Sequence, residues 1–118
     1  MSEVSGQLSD WGQVRASVAQ LVANSPDTFE TNPVNNVHDL LAECVKGTPV
    51  PTSVAKGYWE TVSFSWGDFE IEVFDDRLEI YRFYDQRSEI WYEEHQPGDA
   101  FSPRLVAELA TLVPQGMD

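Results

Sequence analysis

Residues 62–94 read VSFSWGDFEIEVFDDRLEIYRFYDQRSEIWYEE, and the order of apolar, polar and turn residues in this stretch decides the fold. If Gly67-Asp68 is a two-residue hairpin turn, with Gly first as a type II′ turn requires, Trp66 pairs with Phe69, Phe64 with Ile71 and Val62 with Val73. All three pairs are apolar. Closing the next hairpin at Asp75-Asp76 sets Val73 against Leu78, Ile71 against Ile80 and Phe69 against Arg82. This is the weakest joint, because a type I′ turn asks for positive φ at both positions and Asp adopts it less readily than Gly or Asn. A three-residue turn at Asp85-Gln86-Arg87 then places Ile80 opposite Tyr92 and Arg82 opposite Ile90. A slip of one residue would carry Glu onto the apolar face, so pattern and turns together specify a four-stranded antiparallel meander.

Upstream, Trp11, Val14, Val18, Leu21 and Val22 recur at helical spacing behind Ser9 and Asp10 as cap residues, and Asn24, Ser25 and Pro26 end the run. A second stripe, Val37, Leu40, Leu41, Cys44 and Val45, follows Asn35 and Asn36, either of which suits an N-cap, and Gly47 suits the position beyond its end. Residues 48–57, with Pro49, Pro51 and Gly57, read as an extended connector. Downstream, Ser102-Pro103 starts a third helix with Leu105, Val106, Leu109, Leu112 and Val113 on one side, ahead of Pro114. The expected fold class is α+β, a four-stranded antiparallel β-meander with helices packed on one face and element order ααββββα. With 118 residues there is room for one core, so residues 1–118 form a single domain with flexible ends at 1–8 and 115–118. Phe64, Trp66, Ile71, Val73, Ile80, Leu40, Leu41, Leu105 and Leu109 should share that core.

The register that buries one sheet face turns the other outward. It presents Trp59, Thr61, Ser63 and Ser65, then Glu70, Glu72 and Phe74, then Arg77, Glu79, Tyr81 and Phe83, then Glu89, Trp91, Glu93 and His95. Glu72, Glu79 and Glu93 fall in one row as opposed like charges, and Tyr81 lies beside Trp91 as an aromatic pair. Such a face is either a solvated surface or a recognition surface, since exposed aromatics anchor interfaces and an acidic surround selects a basic partner.

Charge narrows the choice of partner. The chain carries 20 Asp and Glu against 7 Lys and Arg, net −13, and residues 58–100 alone hold twelve acids and three arginines. This field repels phosphate backbones and anionic lipid, so direct nucleic-acid or membrane binding is not expected. Acidic rows at strand spacing are compatible with imitation of a nucleic acid. The amino terminus has no basic-then-apolar leader and no apolar run reaches the roughly 18 residues of a membrane span, which leads to an expected cytoplasmic location.

Enzyme chemistry finds little support. There are two histidines, His38 near Asp39 on a helix and His95 at the end of the last strand, and no spacing suited to zinc. Asp75-Asp76 and Glu93-Glu94 are consecutive, and consecutive strand residues point to opposite faces. No phosphate-binding Gly loop, GxSxG or nucleophile-base arrangement is present. The single cysteine, Cys44, belongs to an apolar stripe. No motif is specific enough to carry a family resemblance.

The functional expectation is a small acidic protein-binding module without enzymatic activity, cofactor or metal. It would be a stoichiometric inhibitor or immunity-type protein that blocks a basic, nucleic-acid-handling partner through Glu70, Glu72, Glu79, Tyr81, Trp91 and Glu93. The alternatives are an accessory or assembly protein of an enzyme complex and a small-molecule-binding domain. A homodimer is disfavoured because it would press many carboxylates together.

Overall fold

The computed structural model describes residues 10–24, 31–56, 61–74, 76–84 and 86–112. The expected flexible ends, Ser9, Ser25, Pro26, Trp59, Asp75, Asp85, Val113 and Pro114 lie outside them. The elements run α1 (Trp11–Asn24), α2 (Thr31–Cys44), β1 (Ser53–Lys56), β2 (Val62–Trp66), β3 (Phe69–Val73), β4 (Arg77–Phe83), β5 (Ser88–Glu94) and α3 (Pro103–Ala110). Among the described residues the architecture is α+β, an antiparallel sheet with three helices.

Among the described residues the sheet has five strands in the order β1-β2-β3-β4-β5, not four. The additional strand comes from the segment expected to be a connector. Ser53–Lys56 pairs antiparallel with β2, setting Val54 against Phe64, and the Thr52 N–H donates to the Ser65 carbonyl at 2.7 Å. Four residues between prolines and a glycine are too few to show a period, which is why the segment does not read as a strand.

The first two hairpins have the expected register: Trp66 lies opposite Phe69, Phe64 opposite Ile71, Ile71 opposite Ile80 and Phe69 opposite Arg82. Gly67 has φ +71°, and among the described residues no non-glycine residue has positive φ, which fits the type II′ reading. The second connection is closed by the Phe74 N–H to the Arg77 carbonyl at 2.9 Å. With no positive φ at Asp76, it is not type I′.

The third hairpin differs. The Tyr84 N–H donates to the Arg87 carbonyl at 2.7 Å, leaving a two-residue loop where three residues were expected. Ile80 therefore faces Trp91 rather than Tyr92, Tyr81 faces Ile90, and Arg82 faces Glu89. Because side chains alternate, this one-residue change exchanges the two faces of β5. Trp91, Glu93 and His95 turn toward the helices, while Ile90, Tyr92 and Glu94 turn outward.

All three helices cover the same sheet face. Val14 and Val18 of α1, Val37, Leu40, Leu41 and Cys44 of α2, and Leu105 and Leu109 of α3 join Val54, Val62, Phe64, Trp66, Phe69, Ile71, Val73, Leu78 and Ile80 in one buried cluster. Every residue expected in the core is in it. Asp10 accepts the Gln13 N–H at 2.9 Å at the start of α1. Ser102 caps α3 by accepting from the Leu105 N–H, with Pro103 in its first turn.

Helix α2 begins at Thr31, earlier than expected, with Pro33 in the first turn, where no intrahelical donor is lost. Asn36 is consequently inside the helix and not its cap. It is fully buried, and its Nδ2 donates to the carbonyls of Phe74 at 3.0 Å and His95 at 3.1 Å, tying α2 to the ends of β3 and β5. Among the described residues no helix is long and apolar enough to cross a membrane.

Candidate functional site

The outer face of the sheet is built by strand alternation. Ser63 and Ser65 of β2, Glu70 and Glu72 of β3, Arg77, Glu79, Tyr81 and Phe83 of β4, and Ser88, Ile90, Tyr92 and Glu94 of β5 share it. Of the residues expected to form the binding surface, the structure brings Glu70, Glu72, Glu79 and Tyr81 together here. It places Trp91 and Glu93 on the opposite face. Arg104 of α3 stacks over Trp91 with its guanidinium carbon 3.7 Å from the ring centroid, and Glu93 Oε2 accepts from Ser102 Oγ at 2.6 Å and from Trp91 Nε1 at 3.3 Å. These two side chains seat α3 on the sheet edge.

Glu72 and Glu79 lie directly opposite each other, but Tyr92, not Glu93, completes their row. Neighbouring donors relieve the repulsion. Glu79 accepts from Arg77 Nε at 3.1 Å and from Tyr81 Oη at 2.8 Å, Glu72 accepts from Thr61 Oγ1, and Glu70 accepts from Ser63 Oγ at 3.1 Å. Burial, followed by the Glu79 carboxylate, pushes the Tyr81 hydroxyl well above the usual tyrosine range, so it stays a donor. Arg77 also lies over the Phe74 ring at 3.9 Å. The carboxylates are held in fixed positions at the centre of the face.

Beside this row lies an apolar strip. Phe83 is 41% exposed, Ile90 55% and Tyr92 66%, and Tyr81 stacks on Phe83 with an interplanar angle of 8°. Ile90 sits directly across from Tyr81. Sequence reasoning placed Phe83 on this face but missed Ile90, Tyr92 and Glu94, all three displaced by the β5 register. The Tyr84/Arg87 pair, with Arg87 over the Tyr84 ring at 4.2 Å, flanks the short loop.

The opposite layer offers a cleft of about 340 Å³ bounded by α2, the 98–101 segment and α3. Its polar groups are already committed. Asp39 Oδ2 accepts from the Gly98 N–H at 2.8 Å and meets His95 Nε2 at 2.9 Å, Asp99 accepts from the Gln96 N–H at 3.0 Å, and Glu43 pairs with Lys46 at 3.2 Å. His95, which the expected register placed on the outer face, is 1% exposed and stacked on Phe101, with ring centroids 4.4 Å apart. His38 is exposed on α2. Cys44 is fully buried, and burial pushes its thiol up to about 12. Among the described residues no group of three His, Cys, Asp or Glu side chains is placed to hold a metal ion.

Compared with protein-family models, curated proteins and solved structures, the chain gives no significant match.

Proposed function

We propose that this chain is a small acidic protein-binding module that acts stoichiometrically, as an inhibitor or immunity-type protein, against a basic protein that handles nucleic acid. The observation that carries the reading is the outer strip of Phe83, Ile90 and Tyr92, exposed beside the fixed carboxylates of Glu70, Glu72 and Glu79. Large apolar side chains left in water next to ordered charge form the anchor-and-rim pattern of an interface. The −13 net charge favours a basic partner and speeds its encounter. Acting inside the cytoplasm belongs to the same reading.

The test compares the wild-type chain with an Ile90→Ala/Tyr92→Ala variant as bait in extract of the native host. A basic protein retained by the wild type and lost by the variant supports the reading. Nucleic acid that competes for that protein marks an inhibitor, whereas simultaneous binding marks an accessory role. Retention by the outer-face variant, with loss on substituting exposed helix positions, would overturn it.

A further inference from the structure

We propose that β5 is an acceptor strand, whose free edge takes up an extended segment of the partner in which basic and apolar residues alternate. The inference rests on the reading above and specifies how the partner is held.

Backbone geometry supplies the first argument. Bonds at Tyr84 N–H to Arg87 O, 2.7 Å, and His95 N–H to Asp76 O, 3.0 Å, mark the two ends of the β4–β5 ladder as hydrogen-bonded positions. In an antiparallel pair such positions alternate, so Glu89, Trp91 and Glu93 direct their backbone groups toward β4. Ser88, Ile90, Tyr92 and Glu94 direct theirs away from the sheet. Among the described residues nothing bonds to these outward groups.

The two edges of the sheet are unlike. β1 is four residues long, follows Pro49 and Pro51, and packs beside α1. β5 is seven residues long and contains no proline, lysine or arginine. Natural sheets commonly blunt long edges with such residues, with bulges or with a covering element. The only charges on β5 are the carboxylates of Glu89, Glu93 and Glu94.

Those carboxylates select the occupant. In a two-fold pairing centred on Trp91, the register that overlaps all of β5 with a second copy, Glu89 would oppose Glu93 of that copy at both ends, against a net charge of −13 on each chain. A basic strand meets the reverse condition. Its lysines or arginines would lie on the helix side beside Glu89, which Arg87 approaches only to 3.9 Å, and its apolar residues on the outer side beside Ile90 and Tyr92. Main-chain bonds would then supply affinity and the alternating side chains specificity.

The probe is a synthetic peptide of about ten alternating Lys and Val residues, compared with its Glu/Val counterpart and with a block peptide of the same composition. Amide exchange is followed by NMR on the full chain. The Lys/Val peptide alone should slow exchange at Ile90, Tyr92 and Glu94 by about tenfold or more. Binding without that protection, or equal protection by the block peptide, would overturn strand addition. A dimer protecting the same amides without peptide would assign the edge to a second copy instead.

A pair of variants separates this inference from the function it rests on. Tyr92→Ala removes the ring and keeps the outward N–H, whereas Tyr92→Pro removes both and leaves the β4 ladder intact. Proline should weaken capture of the basic partner about tenfold beyond alanine, with melting temperatures checked for both. If alanine weakens capture and proline adds nothing, the outer-face reading survives and strand addition fails. If neither variant changes capture, both fail.

Discussion

Ser102 donates its hydroxyl to Glu93 Oε2 at 2.6 Å while accepting the Leu105 N–H at 3.0 Å, so one side chain both caps α3 and fastens it to β5. Ser102→Ala should cost about 1 to 2 kcal/mol, the loss of a cap together with a charge-assisted bond. Glu93→Gln should cost less, because an amide oxygen still accepts from Ser102. Denaturant melts of the two variants check the order.

Asn36 holds the Phe74 and His95 carbonyls inside the protein. Asn36→Ala leaves both buried acceptors without that donor and should destabilise the fold by about 1 to 3 kcal/mol. A helix cap at the surface would cost about 1. Chemical denaturation distinguishes the two values when Asp10→Ala, at the exposed cap of α1, serves as the reference.

Ile71 is fully buried in the middle of β3, between Phe64 and Ile80. Truncation to Ala removes apolar contact and leaves a cavity, for an expected loss of about 2 to 5 kcal/mol. The reading is the shift in denaturant midpoint at unchanged slope.

Trp91 and Tyr92 should behave in opposite ways although they are adjacent. Trp91 packs against the core under Arg104, so Trp91→Ala should lower the melting temperature. Tyr92 is two-thirds exposed, so Tyr92→Ala should leave the melting temperature nearly unchanged while weakening partner binding by about 2 kcal/mol. Glu72→Lys together with Glu79→Lys should slow association and flatten its salt dependence. Thermal melts and stopped-flow binding at two salt concentrations check both.

Burial by itself pushes the Asp39 carboxyl up, but its bonds from the Gly98 N–H and His95, with the nearby charge of His95 and His38, bring it below the usual aspartate range. A carboxyl whose folded value is depressed contributes stability above its unfolded value of about 3.9, and that contribution is lost as pH falls through the folded value. Asp39→Asn should therefore be less stable than wild type near neutrality, with the gap closing below about pH 4. Melting temperatures across that range measure it.

Several features were legible in the residues alone: the helical stripes apart from Val45 and Val106, which are exposed, the Ser102-Pro103 start of α3, the Gly67-Asp68 turn, the register of β2, β3 and β4, and the shared core. In each of these, period and turn chemistry point the same way. In β5 they do not, because Ile90, Trp91 and Tyr92 are three consecutive apolar residues and either parity buries some of them. One residue of loop length then decides which face they take. Tertiary packing settles it. The observed register puts the indole of Trp91 over the core beneath Arg104 and gives Glu93 the hydroxyl of Ser102, at the cost of leaving Ile90 and Tyr92 in water. The fifth strand was hidden for a related reason, since Ser53–Lys56 is too short to carry a pattern and becomes a strand only where β2 offers its backbone. Local sequence thus determined the elements with a long period or a specific turn, whereas long-range contact decided the faces of β5 and with them the candidate site.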